Sequence, residues 1–255
     1  MIDLHSHILP GLDDGAKDLE ESKQLAKEAV KQGITKMIAT PHHRNGSYYN
    51  SREEILTAVE RLNEELDLEN IQLEICPGQE TRIYGEMVQD VKQGELLTLN
   101  DDDKYIFVEL PSNHVPRYTN QLLFDMQLIG LKPIIVHPER NQELIEHPEI
   151  LYKLVKNGAL TQVTAASVIG KFGKKIQKFS NQLIENHQTH FIASDVHHVT
   201  RRGFYLKEAC EYINQEFGSN WRDLLLDNSQ RLIDGKMIHY QEPQRIKRKK
   251  IFGIF

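Results

Sequence analysis

The sequence predicts an α/β protein organised around a parallel sheet, and three observations lead there. Short runs of β-branched and apolar residues alternate with helical patterns along nearly the whole chain. The runs recur every 30 residues or so, roughly the length of a strand–helix unit. Chemically reactive side chains gather where the runs end, which is where parallel α/β folds place function. At 255 residues the chain has the length of one large α/β domain.

Strand-type runs occupy 1–5, 35–40, 71–76, 104–110, 132–137, 160–165 and 189–194. They are rich in Ile, Val, Phe and Tyr, which suit a pleated, packed surface. After the first run, Asp18 precedes Glu21 by three residues and the helical period ends at Gly33, predicting an N-cap, a helix and a left-handed C′ glycine. Ser51 and Glu54 have capping-box spacing ahead of a helix over 51–66. Further helical patterns cover 115–130 and the stretches around 143–157 and 174–187. GKFGKK at 170–175 lacks phosphate-loop spacing and reads as the start of a basic helix face, and no G-x-G-x-x-G follows the first run. Such alternation fits an open doubly wound sheet or a closed barrel.

Composition narrows the function classes. An apolar share of 39% with 27% charged residues is ordinary for a globular protein, and no window approaches a membrane span. The first residues, MIDLHSH, have neither the charged n-region nor the h-region of a signal peptide. With only Cys76 and Cys210 there is no disulfide framework, so a cytoplasmic location is expected. Net charge is −6 although Arg245, Lys247, Arg248, Lys249 and Lys250 cluster near the end. The body is thus more acidic still, which argues against nucleic acid as a partner. No linker divides the chain before residue 240, so one domain is expected over 1–240, with a basic, aromatic tail over 241–255.

His5 and His7 close the first run, His42 follows the second, Glu80 the third, Glu109 ends the fourth, His137 the fifth, and Asp195 and His197 follow the seventh. Eight ligand-type side chains from six strand ends would therefore converge on one rim. His5-x-His7 and Asp195-x-His197 have the spacing that sends both side chains to one face of a strand. Imidazoles and carboxylates without cysteine suit Zn, Mn or Fe, and buried carboxylates at this density require cations. A multinuclear metal site is the expectation. His43 and His198 directly follow ligand candidates and would point elsewhere; His114, His147, His187, His190 and His239 read as structural or solvated.

HSH at 5–7, DDG at 13–15, TPHH at 40–43, GQE at 78–80, Glu109, HPER at 137–140 and SDVH at 194–197 together resemble the PHP (polymerase and histidinol phosphatase) superfamily. Within it the chain is similar to the manganese-dependent protein-tyrosine phosphatases of Gram-positive capsule and exopolysaccharide operons, the CpsB/YwqE type. The resemblance implies a single-domain, distorted (β/α)7 TIM-like barrel holding three divalent metal ions, Mn²⁺ first, with Fe, Co or Zn as alternatives. It assigns His5, His7, Glu80 and Asp195 to one metal, Glu80, Glu109 and His137 to a second, and Asp14, His42 and His197 to a third. Asp14 and Glu109 stand where several other PHP enzymes have His, and these carboxylates favour harder ions such as Mn²⁺. Asp13 is expected to face solvent beside Asp14.

The implied reaction is hydrolysis of phosphotyrosine by metal-activated hydroxide without a phosphoenzyme. Three divalent ions would outweigh the four carboxylates Asp14, Glu80, Glu109 and Asp195 and leave a cationic site for a phosphate dianion. Arg140 and Arg202 are the implied phosphate clamps, with Arg201 as an alternate. The implied substrates are a tyrosine-phosphorylated bacterial tyrosine kinase with a Tyr-rich tail and other phosphotyrosine proteins, in the control of capsule or exopolysaccharide synthesis. A small-molecule phosphatase of the histidinol-phosphate type is the alternative, ahead of an amidohydrolase-like enzyme or a non-enzymatic kinase regulator. CPGQETR at 76–82 has the Cys-x5-Arg spacing of cysteine-dependent phosphatases, but Pro77 removes a phosphate-binding N–H and Glu80 would repel the anion. The tail reads as a solvated end or as a weak contact with an anionic membrane surface, which would place the protein peripherally at the inner face.

Overall fold

The computed structural model describes residues 1–247. Strands and helices alternate as β1 (Ile2–Ser6), α1 (Leu19–Lys31), β2 (Lys36–Ala39), β3 (His42–His43), α2 (Arg52–Leu68), β4 (Glu74–Pro77), β5 (Glu80–Arg82), α3 (Met87–Lys92), β6 (Tyr105–Glu109), α4 (Thr119–Leu128) and β7 (Lys132–Val136). There follow α5 (Gln142–Glu146), α6 (Glu149–Lys156), β8 (Leu160–Thr164), α7 (Ala165–Val168), α8 (Lys174–Glu185), β9 (Phe191–Ala193), α9 (Leu206–Phe217) and α10 (Ser219–Ile233). Asp18 caps α1 by accepting from Glu21 N–H, Ser51 and Glu54 form the capping box of α2, and Gly33 is left-handed, as the sequence predicts. Helix α2 buries Ile55, Val59, Leu62 and Leu66, one stripe at helical period. The basic 170–175 stretch leads into α8.

All strand pairs are parallel, in two sheets ordered β1-β2-β4 and β3-β5-β6-β7-β8-β9. The two sheets share chain paths, because β3 continues the line of β2 and β5 that of β4. Pro41 interrupts the first path by offering no N–H to the ladder. Gly78 interrupts the second where a Cβ would lie 2.5 Å from Ile38 Cγ2, so only glycine allows that approach. The outer edges meet at a parallel bridge between Ser6 and Val196; Asp195 N–H donates to the His5 carbonyl and His7 N–H to the Val196 carbonyl, both at 2.9 Å. The strand ends therefore follow one another around a ring, the arrangement the family resemblance implies.

Apolar residues divide by strand face. Ile106, Val108, Ile135 and Ile192 pack outward with the helices. Phe107, Ile134, Val136, Phe191 and Ala193 alternate with them and join Leu4, Ile38 and Cys76 in a second cluster. That cluster closes the floor beneath the rim, where His5 rests on Phe107 with ring centroids 5.1 Å apart. Two features escaped the sequence reading. The 143–157 pattern breaks into α5 and α6 at His147-Pro148, and α9 and α10 cover the ring after β9. Residues 241–247 run along the body, with Gln188 Nε2 donating to the Gln244 carbonyl at 2.6 Å and Arg245 pairing with Glu149 at 3.0 Å. The rest of the basic tail, 248–255, lies outside the described residues.

Candidate metal centre

Strand β1 delivers its histidines through a bulge. Asp3 pairs with Met37 and Ser6 with Ala39, so β1 carries one residue more than β2 between these points. Such an insertion re-aims the side chains after it. Leu4 packs in the floor cluster and His5, the next residue, also lies over Phe107. His7 then follows at period two. Register places the other candidates: His42 is opposite Glu80 on β3 and β5, and Arg82 is opposite Glu109 on β5 and β6. His137 and Asp195 leave β7 and β9 with φ of 35° and 54°. Left-handed backbone is costly for such residues and concentrates where a site demands it.

His5 Nε2 lies 3.3 Å from Glu80 Oε2 and 3.5 Å from Asp195 Oδ1, and His7 Nε2 is 3.4 and 3.3 Å from the same two atoms. His42 reaches Glu80 Oε2 at 2.9 Å, Glu109 Oε2 at 3.8 Å and Asp14 Oδ1 at 3.5 Å. His197 Nε2 approaches Asp14 Oδ1 at 3.4 Å. His137 Nε2 lies 2.6 Å from Glu80 Oε1. All nine expected ligand residues thus meet at one rim. Among the described residues three sets have donor atoms close enough to share an ion: His7, Asp14, His42 and His197; His5, His7 and Glu80; and His42, Glu80 and Glu109. Relative to the grouping implied by resemblance, His42 stands between two sets and His137 leans on Glu80.

The donor chemistry fits cations. His5 Nδ1 is 2.9 Å from Gln162 Oε1 and His7 Nδ1 is 2.5 Å from Asp13 Oδ2. Both acceptors can take the ring Nδ1 proton, which turns the two Nε2 atoms, 3.3 Å apart, toward the same point. Glu80 Oε2, Glu109 Oε2, Asp195 Oδ1, His42 Nδ1 and His197 Nε2 are buried without a hydrogen bond in proper geometry. A polar atom so placed is costly unless something positive joins it.

Electrostatics agree. Burial and the neighbouring Glu80 push Glu109 up to about 7. Burial would also raise Asp195 and Glu80, but Arg140 and His5 hold Asp195, and His42 and His5 hold Glu80, well below the usual carboxylate range. Burial, assisted by Arg140, pushes His137 down to about 3, which leaves its imidazole neutral.

Both expected arginines reach the cluster. Arg140 Nη1 is 2.7 Å and Arg202 Nη2 3.0 Å from Asp195 Oδ2, while Arg202 Nη1 is 3.8 Å from Asp14 Oδ2. Their side chains are 24% and 32% exposed, so an incoming anion can reach them. Arg201 instead lines an adjoining cavity of about 410 Å³ with Lys17 and His198. A second pocket of about 240 Å³, lined by Arg82, Glu109, His137 and Arg140, flanks the other side. His43 turns away and its Nδ1 meets the Asn50 carbonyl at 2.7 Å; His190 Nδ1 accepts from Thr161 N–H.

Two residues at the site, Arg82 and Gln162, were not predicted, and one expectation, for Asp13, is reversed. The Asp13 side chain is 1% exposed and braces His7, whereas Asp14 remains 47% exposed. Asp13 turns inward because the chain folds back on His7: Ala16 N–H donates to the His7 carbonyl, and a Cβ on Gly15 would lie 2.0 Å from that oxygen. Arg82 donates to Glu109 Oε1 at 2.9 Å, and Gln162 orients His5. Cys76 sits in the apolar floor and burial raises its thiol to about 11, so it is neither exposed to the rim nor a thiolate.

Fold and site together define a parallel α/β protein with a carboxylate–imidazole metal-type centre on its strand-end rim. The profile of the capsular polysaccharide synthesis CpsB/CapC family matches residues 1–234, and the chain belongs to that family. It is 49% identical, over all of both chains, to the tyrosine-protein phosphatase YwqE of Bacillus subtilis. It is 37% identical, again over both full lengths, to CapC of Staphylococcus aureus, named a putative tyrosine-protein phosphatase. A chain from the crystal structures of YwqE from Bacillus subtilis and CpsB from Streptococcus pneumoniae, unique metal-dependent tyrosine phosphatases, matches with a TM-score of 0.95 at 48% identity. That match covers 97% of this chain and 100% of the other.

Proposed function

We propose that this protein is a metal-dependent protein-tyrosine phosphatase, acting on phosphotyrosine proteins in capsule or exopolysaccharide synthesis. The observation that carries the reading is the convergence of the His5 and His7 Nε2 atoms, 3.3 Å apart, on buried oxygens of Glu80 and Asp195 that lack a hydrogen bond in proper geometry. The full-length similarity to proteins named tyrosine phosphatases favours this substrate class over histidinol phosphate.

The residues that would hold divalent ions are His5, His7, Asp14, His42, Glu80, Glu109, His137, Asp195 and His197, in three sites suited to Mn²⁺. Such ions supply positive charge against the phosphoryl oxygens and make water a competent nucleophile at neutral pH. The remaining work falls to the chain itself. Arg140 and Arg202, both in contact with Asp195, would exchange part of that contact for the ester's phosphoryl oxygens, as guanidinium groups pair readily with phosphate. Asp13 and Gln162 keep the rings of His7 and His5 in orientation. Water is the phosphoryl acceptor, since Cys76 is sealed in the floor. The leaving phenolate has a pKa near 10 and needs less protonation than an alkoxide would.

The substrate that fits this reading is an autophosphorylated bacterial tyrosine kinase in the cytoplasm, with the basic tail drawing the enzyme to the inner membrane face. Metal analysis of the purified protein, with phosphotyrosine-peptide and histidinol-phosphate turnover before and after chelation, tests it. Bound Mn²⁺, Fe, Co or Zn with chelator-sensitive peptide hydrolysis is expected. Hydrolysis that survives complete metal removal, or a preference for histidinol phosphate, overturns it.

A further inference from the structure

The loop 44–50, which follows β3, is tied down on several sides. Arg44 has φ 55° and Gly46 φ 96°, and Asn45 Oδ1 accepts from the backbone N–H groups of Ser47 and Tyr48, closing a tight turn. The Arg44 guanidinium lies 4.3 Å from the Tyr84 ring centroid and 3.4 Å from Asp90 of α3, to which Tyr84 also donates. Tyr49 packs its ring on His43 at 4.6 Å. At the far end Asn50 Nδ2 donates to the carbonyls of Leu12 and His42, and its own carbonyl accepts from Gln79. The loop is therefore a fixed wall beside the rim.

Tyr48 is the aromatic side chain of this wall that stands against the metal-ligand cluster. Its ring lies 12° from parallel with His42 at a centroid separation of 6.3 Å, it is half-buried, and its hydroxyl makes no hydrogen bond among the described residues. His42 in turn has both ring nitrogens against the cluster, at Glu80 and Asp14. The other aromatic rings at the centre are otherwise engaged. Phe107 is fully buried under His5, and Phe172 lies 5.9 Å from the guanidinium of Arg140.

We propose that Tyr48 receives the aromatic ring of the phosphotyrosyl side chain, so that the 44–50 wall selects aryl over alkyl phosphate esters. The inference rests on the phosphatase reading above and adds the residue that reads the leaving group. A phosphate seated at the arginines leaves its ester substituent to emerge at the rim, and a planar ring there gains an offset face on Tyr48. A seryl or threonyl phosphate offers no such face. Because the wall is already rigid, little ordering cost accompanies the contact.

The test compares wild type, Tyr48→Ala and Tyr48→Phe, each loaded with Mn²⁺ and checked for equal metal content. Two constants are measured: KM for a phosphotyrosine peptide, and Ki for inorganic phosphate, which occupies the phosphate position without a ring. Tyr48→Ala should raise the peptide KM by about three- to tenfold, the range of one aromatic pair. Its phosphate Ki should stay within about twofold, and Tyr48→Phe should match wild type on both, since no hydroxyl contact is lost. An unchanged KM, or KM and Ki rising together, overturns the proposal, as does a selective loss found in Phe172→Ala instead. A wild-type enzyme that fails to hydrolyse the peptide removes the phosphatase reading itself, a separate result.

Discussion

Replacing Asp13 with alanine removes the carboxylate that stands behind the cluster-facing edge of His7. In the native protein Oδ2 accepts from His7 Nδ1 at 2.5 Å and from His42 N–H at 3.0 Å, while Oδ1 accepts from Gly15 N–H at 3.0 Å. Burial alone would raise this carboxyl, but His7 beside it brings it below its ordinary value, so the group is an anion at neutral pH. Alanine leaves those three donors without their acceptor. Each such loss costs about 1–3 kcal/mol, toward the lower end here because water can enter the half-exposed loop. His7 also loses the partner that orients its ring, and loss of one such partner typically weakens metal binding by about 10–100-fold. With His42 released at the same time, the upper half, about 30–100-fold, is expected. Competition of the protein against a chelating dye for Mn²⁺ measures it, alongside peptide hydrolysis at low and saturating metal. Excess metal should restore part of the activity, and Asp13→Asn should fall between alanine and wild type because one oxygen remains for His7. An alanine variant that melts like wild type and binds Mn²⁺ with unchanged affinity would refute the role of Asp13.

One further outcome separates the proposed chemistry from a cysteine-dependent competitor, and another bears on stability. Cys76→Ser should leave peptide hydrolysis nearly intact, whereas Glu80→Ala or His5→Ala should abolish it; the opposite pattern would make the enzyme cysteine-dependent. His190, far from the rim, bears on stability: burial pushes it down to about 3 from an ordinary 6.5, so it folds neutral. Its contribution is complete above pH 6.5 and is lost as pH falls toward 3, because the unfolded chain binds the proton first. At pH 5 the loss is about 2 kcal/mol. Urea denaturation at pH 7.5 and 5.0 should show that His190→Asn, which keeps an acceptor for Thr161, loses less stability on acidification than wild type; equal losses would exclude the effect.

How much could be read beforehand depended on what kind of contact was involved. His5 and His7 were legible from strand period and Asp195 and His197 from strand-end position, both local properties of the chain, although the left-handed Asp195 breaks the period its spacing suggested. The bulge that aims His5 was not, since it exists only as a mismatch of register with β2. Strands β3 and β5 were read as extensions beyond the ends of longer runs, because two or three residues carry too little pattern to register as strands. Asp13 was misjudged because its burial follows from the fold-back at Gly15, a contact with the His7 carbonyl. Arg82 and Gln162 did leave signals that went unused: one alternates with Glu80 on the same strand, and the other is a lone amide inside an apolar run.

The seam between β1 and the segment after β9 also bears on when the protein becomes competent during its synthesis. Ser194 N–H donates to Asp3 Oδ1 across 191 positions, and His5 and His7 share Glu80 with Asp195 only once that seam forms. A nascent chain that has emerged only through β8 holds Glu80 against His5 and His7 but not Asp195, their second carboxylate. Contacts this distant in sequence form late and slowly. A ribosome-bound fragment ending before Asp195 lacks one of the two carboxylates that face His5 and His7, and it should remain catalytically silent.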